Sequence, residues 1–249
     1  MFHLAAFWEA DSGTSTLLDI NAVTDGWATV QNNHFIFQEN YKLKSFIAFA
    51  NTIIRGQLNT PHWRFVNQPE IQPVTQNWGN VEGLTFPNIA HPFLTIPRID
   101  EVQFLASTSG VSTTGILGAM FVHDGQMNVH QGDIYPARFT YSATSATGSW
   151  VRTNITFDNS LPAGRYQVVG LDLIGNAHRL GRLRFQEYQM LPGVPVRNTA
   201  IGTFRDIWRY GNYGKFGEFE QTAQPSLEIF SELAGAVTGS GAMDLVKMR

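Results

Sequence analysis

Residues 161–197 read LPAGRYQVVGLDLIGNAHRLGRLRFQEYQMLPGVPVR, and their pattern sets the class of fold. Tyr166, Val168, Val169, Leu171 and Leu173 supply the apolar and β-branched bulk of a strand. Gly175 and Asn176 then offer the positive φ angles of a tight turn. Beyond them Gly181, Leu183 and Phe185 face one way and Arg182 and Arg184 the other, a period of two. The Pro/Gly elbow at 191–195 stops the second strand. The spacing predicts a hairpin, and most of the chain repeats its texture of short strands, frequent turns and polar outer faces.

Working outward, eight strands are predicted between Phe93 and Phe185, centred on 93–96, 101–106, 116–122, 127–130, 137–141, 149–157, 165–173 and 180–185. The 149–157 segment alternates most cleanly, with Val151, Thr153, Ile155 and Phe157 opposite Arg152, Asn154 and Thr156. Eight short strands with no helix between them predict an all-β sandwich or barrel, and the polar outer faces favour antiparallel pairing. Upstream, six prolines between Pro61 and Pro97 predict an extended arm or edge segments. One amphipathic helix is expected near 41–55. Leu43, Phe46, Ile47, Ala50 and Ile54 recur at three- and four-residue spacing, with Asn40 as N-cap and Gly56 just past the end. The expected organisation has N-terminal strands, helix and arm over 1–91, an eight-strand core over 92–190, and an aromatic, glycine-rich arm over 191–249. Within that arm a short helix is expected over 225–234 and a flexible stretch over 235–241, so deleting 236–249 should spare the core.

Composition narrows the chemistry. The 249 residues are 15% charged with a net charge of −3, while sixteen Asn and fourteen Gln carry much of the polarity. That charge implies neither an acidic nor a basic partner. The first forty residues contain no Lys or Arg, which argues against direct sequence-specific nucleic-acid binding. There are no cysteines, which excludes disulfides, thiolate catalysis and cysteine metal sites. The start, MFHLAAFWEADSG, lacks the basic and long apolar regions of a secretion signal. Thirteen Arg stand against four Lys, and six of the Arg fall between Arg179 and Arg209. Arg suits fixed bidentate contacts, so Arg179, Arg182 and Arg184 are candidate subunit contacts. Trp208, Tyr210, Tyr213 and Phe216 join them as aromatic anchors on a glycine-rich segment.

Candidate chemistry is sparse. His123, Asp124, His130 and Asp133 are the nearest approach to a metal cluster, but their spacing matches no metal motif and ordinary turn residues are the expectation. No Gly-x-Ser-x-Gly elbow marks an activated serine. No catalytic residue, metal or cofactor is assigned, and the chain is not expected to be an enzyme.

The order of features resembles a family. The 41–55 segment with its RGQLNTP continuation, the Pro-rich arm, the eight-strand block, the LPAGRYQVVG pattern and the LPGVPVRN ending are together similar to the jelly-roll major capsid proteins of tailless icosahedral phages. The likeness covers about residues 40–235. It implies an antiparallel jelly-roll β-sandwich, with a single roll carrying long arms favoured and a compact double roll as the other form. It also implies a virion structural protein, made in the host cytoplasm, that assembles with copies of itself as trimers or larger shells and with other capsid proteins, in some members over an internal membrane. The alternative is a carbohydrate-binding β-sandwich or a viral attachment protein, because Trp, Tyr, Asn and Asp suit sugars.

Overall fold

The structure, a computed structural model, describes residues 1–10, 16–50, 53–62, 70–71, 94–110, 115–125, 132–175, 179–198, 208–209 and 216–248. It is all-β, with antiparallel sheets in a sandwich-like arrangement. The backbone divides into two compact units: an N-terminal unit of Ala5–Asn80 and Leu84–Asp124, and a C-terminal unit of Gly125–Arg249 with Met1–Leu4 and Val81–Gly83. This division differs from the expected breaks after 91 and 190.

Among the described residues the N-terminal unit has ten strands: β1 (Phe2–Glu9, entering the unit at Ala5), β2 (Leu18–Ile20), β3 (Thr29–Gln31), β4 (His34–Ile36), β5 (Tyr41–Phe49), β6 (Ile53–Asn59), β7 (Glu70–Ile71), β8 (Leu94–Ile96), β9 (Glu101–Thr108) and β10 (Ile116–His123). One sheet runs β1-β10-β5-β8, the other β3-β4-β9-β6-β7 with β2 also on β9. Phe7 of the first sheet meets Phe35 and Phe104 of the second, and Phe46 of the first meets Phe104, with ring centroids 4.9–5.7 Å apart and edge-on or tilted geometry. Such ring pairs add to the burial of their area. Gly118 of β10 leaves the space they need, since a Cβ there would lie 2.7 Å from the Phe46 ring and 2.9 Å from that of Phe104.

The helix expected at 41–55 is instead strands β5 and β6. The reason is a β-bulge. Phe121 pairs with Ser45 and Val122 with Leu43, so Lys44 is an extra residue between them. Leu43 faces the core before the bulge, and Phe46, Ala48 and Ala50 face it afterwards. The three-residue step from Leu43 to Phe46 therefore imitates a helical spacing. Ile47, which fitted the helical stripe, is buried on the opposite face.

Among the described residues the C-terminal unit has ten more strands: β11 (Ile134–Ser145), β12 (Ser149–Phe157), β13 (Arg165–Gly175), β14 (Leu180–Arg184), β15 (Gly193–Pro195), β16 (Arg197–Asn198), β17 (Trp208–Arg209), β18 (Gly217–Glu220), β19 (Ser226–Ser231) and β20 (Gly235–Lys247). Their order is β15-β14-β19-β12-β11-β20-β13-β16, with β17 and β18 also on β13. β12 turns the corner. Its Ser149–Asn154 half pairs with β19 and its Ile155–Phe157 end with β11, which splits the strands into two sheets.

The expected hairpin does not form: both strands exist, but β13 pairs with β20 and β14 with β19. They lie on facing sheets, so close that a Cβ on Gly181 would meet Leu173 at 2.3 Å. The helix expected at 225–234 is replaced by β19, and the stretch expected to be flexible at 235–241 opens β20, which runs between β11 and β13. Gly239 and Gly241 sit directly opposite Tyr141 and Phe139, and the rings cover the glycines where a Cβ would clash at 2.4 and 2.3 Å. Most of the 57–100 arm and the 127–130 strand lie outside the described residues; β6, β7 and β8 account for the described part of the arm.

Pairing is nested in the same way in both units. In the N-terminal unit β1 pairs with β10, β4 with β9, β5 with β8 and β6 with β7. In the C-terminal unit β11 pairs with β20, β12 with β19, β13 with β16–β18 and β14 with β15. First goes with last, second with last but one, inward to the middle.

Candidate functional site

The arginines expected on an open outer face are placed by β14. Period-two alternation does put Arg182 and Arg184 on one face, but β19 lies alongside and sets Glu228 directly opposite Arg182. Arg182 Nε donates to Glu228 Oε2 at 2.8 Å, its Nη1 donates to the Leu4 carbonyl at 3.0 Å, and its guanidinium sits 3.9 Å from the centre of the Trp150 ring. Arg184 Nε donates to the other Glu228 oxygen. Arg179 Nε donates to Glu232 Oε2 at 3.0 Å. Arg182 is 0% exposed, which removes it from the candidate subunit contacts. The chain's own start takes that place: the Leu4 N–H bonds to the Leu191 carbonyl, and His3 Nδ1 accepts from the Leu191 N–H. Glu228 and Glu232 went unassigned in the sequence, although their alternation with Phe230 in SLEIFSE was the available signal.

Phe216 is also corrected. It is fully buried and meets Phe2 edge-on at 4.9 Å, a core position and not an exposed anchor. Trp208 lies in β17, opposite Leu171 of β13. Tyr210 and Tyr213 lie outside the described residues.

The weak metal candidates divide. His123 ends β10 buried, with Nδ1 3.8 Å from Asp124 Oδ1. Burial pushes its pKa down to about 4, helped by Lys44 and Lys42 and opposed by Asp124, so the ring is neutral near pH 7. His130 lies outside the described residues, and Asp133 is exposed in the C-terminal unit. Among the described residues no group of three His, Asp or Glu is placed to hold a metal ion.

One constellation was not foreseen. His34 of β4 has Nε2 2.9 Å from Asp19 of β2 and Nδ1 3.1 Å from Glu101 of β9. The ring joins three strands of one sheet. Glu9 lies near Asp19, and its pKa is raised by burial first and that neighbouring charge second. With a carboxylate at each ring nitrogen, His34 serves as a cross-strand tie.

One concave feature is a groove of about 600 Å³ on the C-terminal unit, built where β11 and the β12–β13 turn converge. Tyr135, Leu161 and Pro162 give it apolar walls, and Arg138, Asp158 and Lys247 set charges at its rim. Tyr166 is buried behind it, with its hydroxyl donating to the Pro162 carbonyl at 2.7 Å. The Asp158 N–H bonds to the Arg138 carbonyl and holds the rim strand in place. Such a groove suits an apolar knob flanked by charges, or a ring that stacks on Tyr135. The chain matches no known protein family, no curated protein and no solved structure.

Proposed function

We propose that this chain is a structural subunit of a virion shell, a major capsid protein built from two compact jelly rolls. The observation that carries the proposal is the nested pairing repeated in both units. A jelly roll is a long hairpin rolled up so that strands one and eight, two and seven, three and six, and four and five become neighbours. Both units follow that order, with β2–β4 together in the second place of the N-terminal unit and β16–β18 together in the sixth place of the C-terminal unit. Jelly rolls serve viral capsids, lectins and cupins. Two in one chain of 249 residues favour the shell. They also favour the double roll over the single roll with long arms.

The function follows from self-association, with other capsid proteins as further partners. A first forty residues without Lys or Arg support a shell that leaves its genome to other components, an internal membrane among them. Electron microscopy and sedimentation of the expressed chain test this reading: trimers, sheets or shells are expected. Monomer at every concentration and salt would overturn it.

The groove beside Tyr135 supports a second reading, a carbohydrate-binding or attachment module. Glycan-array binding by a stable monomer, lost on Tyr135→Ser, would favour it.

A further inference from the structure

The turn joining β8 to β9 has an unusual tip. The Asp100 N–H bonds back to the Pro97 carbonyl at 3.2 Å, closing a four-residue turn with Arg98 and Ile99 at its centre. Ile99, at the third position, stands at φ 62°, in the left-handed region that type II turns take there and the commoner type I turns do not. Glycine or asparagine is the residue that fits there, and a β-branched side chain is a steric outlier. The other described non-glycine residues with positive φ are Asn32 and Asn33, where asparagine suits the β3–β4 turn. The strain at Ile99 is held rigidly. Its N–H bonds to the Phe37 carbonyl at 2.9 Å, and the Arg98 N–H donates to Asn40 Oδ1 at 2.8 Å.

The same side chain is 69% exposed, more than any other described large hydrophobic residue. Folding therefore gains neither backbone comfort nor burial from isoleucine here. Arg98 and Asp100 flank it in sequence; Arg98 is exposed, and Asp100 is half-buried with one carboxylate oxygen accepting from the His62 N–H at 3.2 Å. The groove of the C-terminal unit offers the complementary set: apolar walls of Tyr135, Leu161 and Pro162, with Asp158, Arg138 and Lys247 at the rim.

Building on the shell reading, we infer that the Pro97–Asp100 turn is a subunit contact whose Ile99 enters the Tyr135 groove of a second copy of this chain. In that contact Arg98 meets Asp158, and Asp100 meets Arg138 and Lys247. Strain at the tip is tolerated because the side chain is spent on the neighbour. The contact is head-to-tail, turn of one copy into groove of the next, which suits extension into rings or shells.

The test uses the full chain and reads self-association by sedimentation alongside Tm. Ile99→Asn should keep Tm at or above that of the parent, because asparagine tolerates the left-handed backbone, while self-association weakens about tenfold or more. Arg98→Glu and Asp158→Arg should each weaken it, and the pair together should recover most of the loss. Unchanged assembly by Ile99→Asn, or no recovery in the charge-swapped pair, overturns the contact and leaves the shell reading standing. A parent chain that never self-associates overturns both. Intact assembly of Ile99→Asn, with glycan binding lost on Tyr135→Ser, gives the groove to a sugar instead.

Discussion

Arg182 shows how one residue changes meaning with its surroundings. In a strand with Arg at alternate positions it has the pattern of a solvent-facing row. In the fold it is fully buried, fixed by Glu228, the Leu4 carbonyl and the Trp150 ring. Removing one partner of a buried pair leaves the other charge without compensation. Arg182→Ala should lower unfolding stability by about 3–5 kcal/mol, read from urea midpoints. Arg182→Lys should also lose stability, because an ammonium cannot reproduce the fork that spans Glu228 and Leu4. His123 adds a dependence on pH. Its folded pKa of about 4 lies below the usual 6.5, so the unfolded chain binds the proton first. Its contribution is fully present above about pH 6.5 and is lost as pH falls toward 4, up to about 3 kcal/mol. Denaturation midpoints across that range should fall for the parent and lose this component in His123→Gln.

At the scale of the element, β5 explains why a strand carries a helical spacing. Apolar periodicity reports which residues face the core, but a bulge adds one residue and shifts the phase from two to three at one point. Leu43 and Phe46 straddle that point. Deleting Lys44 alone should restore strict alternation, keep Leu43 and Phe46 on the core face and fold with native-like far-ultraviolet circular dichroism, whereas deleting Lys44 and Ser45 together puts Leu43 and Phe46 on opposite faces and should yield insoluble or unfolded protein. The opposite error arose at β19 and β20. Glycines at 235, 239 and 241 have the composition of a flexible tail, yet Tyr141 and Phe139 from the neighbouring strand cover two of them. Two residues far back in the chain supplied what the local sequence lacked. β9 and β12 were legible because their alternation is uninterrupted: Val102, Phe104 and Ala106 are buried, and Arg152, Asn154 and Thr156 are exposed.

For the whole molecule, β20 has a consequence for truncation. It is thirteen residues long and lies between β11 and β13. Deleting 236–249, which the sequence marked as dispensable, removes that inner strand. The C-terminal unit should then lose its hydrogen-exchange protection over β11 and β13. Among the described candidates of the C-terminal region, Phe216 belongs to the core, and the arginines are tied to Glu228 and Glu232 before any neighbour is met.

Strand-forming composition, turn residues and period-two alternation were sufficient to establish an all-β, antiparallel chain and to locate β11 to β14, while β15 to β20 went unread. These are local properties, set by side-chain shape and the pleat. Which strands become neighbours was not local. β13 and β14 follow one another in sequence yet pack on opposite sheets, because nesting joins each to a strand near the end of the chain. The groove, the buried Arg182 and the exposed Ile99 arise from that long-range pairing, since burial is decided by what comes to lie across a face and not by the residue that stands on it.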